Sequence, residues 1–171
     1  EQDPADIVVS LCHGTSFGSG QHPTTRLCLK GLEYLLGIGT TSIFGERANV
    51  LDIGTGSGVL VITALKMGFA IGMGIDIDPC SVSEARNNVA CNELSNRISI
   101  SAQPFEKIVE SYDLILANLR LPTLKSFFPR MVSQTKPDGL ILLSGIKSEE
   151  RTTIVKQSRG LDVDQKWMDE E

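Results

Sequence analysis

Three glycines at alternate positions, Gly54, Gly56 and Gly58, follow directly on the apolar run Val50-Leu51-Asp52-Ile53. Glycine lacks a Cβ, so a backbone built this way turns sharply and approaches a ligand closely. A helix-compatible stretch comes next, and a second apolar strand then ends in Gly74-Ile75-Asp76-Ile77-Asp78-Pro79. Strand, glycine turn, helix and acid-tipped strand at this spacing make one βαβ unit, with a ligand expected at the carboxyl ends of its strands.

The glycine spacing narrows the ligand. A pyrophosphate fingerprint wants a small residue at the last place of G-x-G-x-x-G or G-x-G-x-x-A, and Val59 stands there. The pattern is G-x-G-x-G with Asp52 before it, which suits S-adenosylmethionine, a cation without pyrophosphate. Asp52 is expected to attract the ammonium end, directly or through water. Asp76 sits where a carboxylate accepts from both ribose hydroxyls, and Ile77 is assigned to the same ligand. Asp78 before Pro79 reads instead as an N-cap followed by the first helical residue.

Beyond this unit, apolar periodicity predicts a strand over 7–11, a Gly/Ser-rich loop to Gln21 and a helix from Pro23. Strands follow at 49–53, 70–77, 98–102, 112–118 and 140–144, with helices at 59–67, 79–92, 121–135 and 149–158. A last strand is expected over 161–167. Strands alternating with helices imply an α/β, doubly wound, Rossmann-like parallel sheet with helices on both faces. The whole is one domain, with residues 1–47 supplying an N-terminal strand, a covering loop and a helix to a core at 48–171. The antiparallel strand that usually closes such sheets has no counterpart, and no Met begins the chain, so an excised domain is expected.

Net charge sharpens the exclusions. At −5 over 171 residues the chain offers no basic stripe for sequence-independent nucleic-acid binding. No signal peptide and no bilayer-length apolar run is present, and a cytoplasmic location is expected. The four cysteines, Cys12, Cys28, Cys80 and Cys91, form no C-x-x-C pair and no zinc pattern with the histidines, so free thiols and no metal are expected.

The segment Phe17-Gly18-Ser19-Gly20-Gln21-His22-Pro23-Thr24-Thr25 adds a tight loop and a helix start whose hydroxyls and N–H groups suit a carboxylate. It resembles the F-G-T-G-x-H-P-T-T signature of the PrmA family, bacterial methyltransferases of the eleventh large-subunit ribosomal protein. Residues 50–60, 74–79, 113–119 and 142–146 resemble that family's other motifs in order and spacing. The resemblance implies methyl transfer from S-adenosylmethionine to lysine or N-terminal amino groups of a protein. It places Thr25, Gly54, Asp76 and Asn118 on cofactor positions. Cofactor contacts are thus expected from Thr25, Asp52, Gly54, Gly56, Asp76, Ile77 and Asn118, with Asn118 also orienting the attacking amine. His22 is expected to order its loop rather than act as base, and His13 to be incidental.

The chain departs from the family pattern at Gln103-Pro104, at Leu119-Arg120 and at Lys147-Ser148-Glu149-Glu150, and nothing resembles the family's separate substrate-recognition domain. Arg120 beside the amine position favours a carboxylate-bearing acceptor. The alternatives are a small-molecule methyltransferase on the same fold and a non-catalytic S-adenosylmethionine-binding module. A nicotinamide dehydrogenase is disfavoured by Val59.

Overall fold

The computed structural model describes residues 7–12, 17–38, 45–158, 161–163 and 166–168. His13 and residues 164–165 of the expected last strand lie outside them. Strands β1 (Asn49–Ile53), β2 (Ile71–Ile75), β3 (Ile98–Ser101), β4 (Tyr112–Asn118) and β5 (Thr135–Ser144) form one parallel sheet in the order β3-β2-β1-β4-β5. The helices are α1 (Pro23–Gly37), α2 (Val59–Lys66), α3 (Pro79–Cys91), α4 (Leu121–Gln134) and α5 (Arg151–Gln157). Strand order reverses between β1 and β4, which opens a crevice at their carboxyl ends.

Alternation along the strands divides the core. Val50, Leu114 and Leu116 pack with α1, α2 and α3 on one face. Leu51, Ile53, Ile115 and Ala117 point the other way, against Leu124, Phe128 and Met131 of α4 and Ile154 of α5. Strands buried on both faces read as continuous apolar runs, which is why β1 and β4 stand out in the sequence. Each fully buried Leu or Ile contributes about 1.5–3 kcal/mol.

Asp78 caps α3 as expected: its carboxylate accepts from the Cys80 N–H at 3.1 Å, and Pro79 follows. Three expectations need correction. Residues 7–12 form no strand; this extended segment is held by side chains, with Asn92 Nδ2 donating to Ser10 O and Lys66 Nζ to Val8 O. Residues 161–163 and 166–168 are also not strand, and Trp167 packs edge-on against Tyr34 of α1 at 5.4 Å. Strand β5 begins five residues earlier than expected, at Thr135. Pro137-Asp138-Gly139 reads as a turn, but the ladder absorbs it as a bulge between the pairs Tyr112–Thr135 and Leu114–Leu140, with Asp138 at φ +62°.

Candidate active site

The glycine turn is anchored to the strand beside it. Gly54 and Thr55 both donate their N–H groups to Ile75 O, at 2.8 and 2.9 Å. Gly54, Gly56 and Gly58 adopt φ of +72°, +54° and +83°, a region side-chain-bearing residues rarely enter. Gly56 is doubly constrained, because a Cβ there would run into the carbonyl oxygen of Phe17.

That contact reveals what covers the turn. The Ser57 N–H donates to Phe17 O at 2.9 Å, and Ser57 Oγ to Gly18 O at 2.7 Å. The loop from Phe17 is therefore fastened across the glycine turn. His22 caps α1: its Nδ1 accepts the Thr24 N–H at 3.3 Å and lies 2.8 Å from the Thr24 hydroxyl. Its ring also meets that of Phe17 at 4.9 Å. With Nδ1 committed to the cap, His22 orders the loop.

Thr25, buried in the first turn of α1, receives a hydrogen bond from Asn118 Nδ2 at 3.4 Å. Ser144 at the end of β5 donates to Thr24 O at 2.9 Å, joining helix start and sheet. Phe17, Gly18, Thr25, Gly54, Thr55, Val59, Leu60 and Asn118 enclose one small cleft at the β1–β4 crevice. A much larger trough of about 1520 Å³ opens from Phe17, His22 and Asn118 past Arg120 and along β5.

The two acids of the βαβ unit are placed differently. Asp76, half-buried at the tip of β2, accepts from Gly56 N–H through Oδ2 and from Asp78 N–H through Oδ1, both at 3.0 Å. A carboxylate has about four lone-pair sites, so acceptor capacity remains for a diol. Ile77 beside it is 82% exposed and, like Asp76, is not among the residues that enclose the small cleft. Asp52 is 1% exposed and lies beneath the turn, its Oδ2 accepting from Thr55 Oγ1 at 2.7 Å. Direct contact between Asp52 and a ligand is closed in this arrangement, because Thr55 and the turn stand between.

Burial drives the Asp52 carboxyl up from the ordinary 3.8 to about 7, against the hydrogen bonds from Thr55 and from the Val61 backbone; the nearby Asp76 charge adds to the rise. Burial likewise pushes the Cys28 thiol to about 12, which removes it as a nucleophile at neutral pH.

Sequence reasoning missed the clamp between Ser57 and the Phe17–Gly18 carbonyls, since backbone acceptors leave no trace in residue type. It also missed Asn88, fully buried on α3, whose Nδ2 donates to Ser57 O at 2.8 Å. Its signal was an amide on the helix face that Val82, Ala85 and Val89 bury.

A model of the family described as ribosomal protein L11 methyltransferase (PrmA) matches residues 1–171. The chain belongs to that family. A ribosomal protein L11 methyltransferase of Trichlorobacter lovleyi is 41% identical over 153 residues, 90% of this chain and 50% of its own length. The one of Geotalea uraniireducens is 39% identical over 154 residues, covering 88% and 49%. This PrmA-family chain thus spans about half the length of the curated relatives it matches. The crystal structure of a ribosomal protein L11 methylase from Lactobacillus delbrueckii subsp. bulgaricus superposes with TM-score 0.77 at 28% identity, over 92% of this chain and 78% of that one. A methyltransferase from Thiobacillus denitrificans, solved with S-adenosyl-L-homocysteine, shares the fold at TM-score 0.54 and 20% identity, over 65% of this chain and 47% of that one.

Proposed function

We propose that this PrmA-family chain binds S-adenosylmethionine in the cleft at the β1–β4 crevice and methylates an amino group of a protein there. The acceptor its relatives' names point to is ribosomal protein L11. The observation that carries this reading is the convergence of Gly54, Thr25 and Asn118 on one cleft from three separate elements. One further feature fits the cofactor: Asp76 retains acceptors for a ribose diol.

When bound, S-adenosylmethionine supplies a methyl group already activated by its sulfonium. The chain's task is placement. Asn118 donates its amide N–H to Thr25, which leaves its amide oxygen to accept from an incoming amine and aim the nitrogen lone pair. An amine held near a sulfonium in a partly dry crevice sheds its proton more readily, so no dedicated base is required. Asp52 supports the turn from below and adds negative charge as it ionises. As the loop stands, the cleft measures about 10 Å³, room for roughly one water, so Phe17 and Gly18 lift from Ser57 for a nucleoside to enter.

The trough beyond Asn118 runs past Arg120 and along β5. The guanidinium of Arg120 has no hydrogen bond or ion pair with the described residues and lines that trough. An acidic residue near the target amine is the complementary feature. Incubation with methyl-labelled S-adenosylmethionine and purified ribosomal proteins, resolved on a gel, tests the reading. One labelled band at L11 is expected; label in no protein despite intact cofactor binding overturns the choice of acceptor.

A further inference from the structure

The extended segment before the covering loop is fastened to the last turn of α3 by amides and by two sulfurs. Asn92 exchanges hydrogen bonds with Ser10, receiving its N–H at 3.0 Å and donating to its carbonyl at 2.7 Å. Asn88 Oδ1 accepts the Cys12 N–H at 2.7 Å, while the same amide's Nδ2 reaches Ser57 O in the glycine turn. One buried side chain therefore ties the segment to the glycine turn. Beside it, Cys12 Sγ and Cys91 Sγ stand 2.8 Å apart, and both residues are exposed free cysteines.

We propose that Cys12 and Cys91 are a reversible redox pair, and that their disulfide pins residues 7–12 to α3 and stiffens the glycine turn through Asn88. The sulfurs need close by only about 0.8 Å to reach the ~2.0 Å of a disulfide, and the flanking amide bonds already hold both backbones in register. The oxidant is a peroxide. One sulfur, as thiolate, attacks the O–O bond to give a sulfenic acid and, with a proton, water. The second thiol attacks the sulfenic sulfur and expels another water. Two thiols and one peroxide thus become one disulfide and two waters; a dithiol reductant reverses the bond.

Hydrogen bonding to Cys91, then burial, then the charges of Cys91 and Glu84 raise the Cys12 thiol above its ordinary value, so oxidation is expected to quicken as pH rises. Cys80, also exposed, has no sulfur partner among the described residues and serves as the control.

The test is alkylation of the denatured chain after hydrogen peroxide, with peptide mass mapping. The expected result is a linked pair of peptides carrying Cys12 and Cys91, with Cys28 and Cys80 still alkylated. The link persists in Cys80→Ser and is lost in Cys91→Ser and in Cys12→Ser. Thermal unfolding should shift upward on oxidation, return with dithiothreitol, and not move in Cys91→Ser. Four alkylated cysteines after peroxide, or a link through Cys80, overturns the proposal. The functional half rests on the cofactor reading above: S-adenosylhomocysteine should dissociate more slowly from the oxidised protein. Unchanged dissociation alongside a formed link refutes the coupling to the glycine turn. Failure of the reduced protein to bind S-adenosylhomocysteine counts against the cofactor reading, and linkage and thermal shift then still decide for or against the redox pair.

Discussion

Asp52 should make this fold lose stability as pH rises. Its carboxyl ionises near 3.8 in an unfolded chain and at about 7 in the folded one, burial being the main cause. Between those values the folded state holds a proton that the unfolded state has released, so stability falls with increasing pH. The contribution is complete below the unfolded value and has been lost once pH passes the folded one. From about pH 5 to about pH 8.5 the loss from this single group amounts to about 2.5 kcal/mol. In Asp52→Asn the side-chain oxygen still accepts from the Thr55 hydroxyl but does not titrate. Urea unfolding of both proteins at the two pH values isolates the effect, because every other titrating group is shared. The wild type is expected to lose about 2.5 kcal/mol more than the variant. Parallel behaviour within about 0.5 kcal/mol would refute the claim that burial holds this carboxyl neutral.

Three further outcomes follow from the site. Asn118→Ala is expected to slow methyl transfer by about 10²-fold by freeing the acceptor amine, while calorimetric affinity for S-adenosylhomocysteine falls less than tenfold; equal losses in both would make Asn118 a binding residue only. Asn88→Ala strips partners from the Cys12 N–H and the Ser57 carbonyl and should cost about 2–3 kcal/mol in urea unfolding; a change within experimental error would show that water replaces the amide. Arg120→Gln should raise KM for an acceptor peptide with an acidic residue beside its lysine by a few-fold, the scale of an exposed charge pair, and leave a neutral peptide unaffected; equal effects on both would exclude charge selection.

The centre of the sheet was legible because β1 and β4 are buried on both faces, so they announce themselves as largely apolar runs. Caps were legible where one residue type does one job, as with Asp78 before Pro79. Legibility ended where a side chain or a bulge replaced a regular element. Residues 7–12 have the composition of a strand, yet Asn88, Asn92 and Lys66 hold them where a neighbouring strand would. The helix expected over 121–135 does run through Pro129, by a device the sequence did not reveal: proline lacks the N–H that the Lys125 carbonyl would take, and Gln157 Nε2 of α5 fills that place at 2.8 Å. The site divides the same way. Glycines and acids at fixed spacing marked the turn, but that Asp52 lies sealed below it while Asp76 stays half-open depends on the depth of each strand end in the fold.

The most direct measurement is a calorimetric titration of S-adenosylhomocysteine into the wild type and Asp76→Asn. The variant retains an acceptor for the Gly56 N–H but loses the charge and one of the acceptors proposed for a ribose diol. One ligand per chain is expected to bind the wild type, with affinity falling about tenfold or more in the variant, the scale of a lost charge-assisted hydrogen bond. Absence of binding to the wild type, or equal affinity in the two proteins, would contradict placing the nucleoside between the Phe17 loop and the glycine turn.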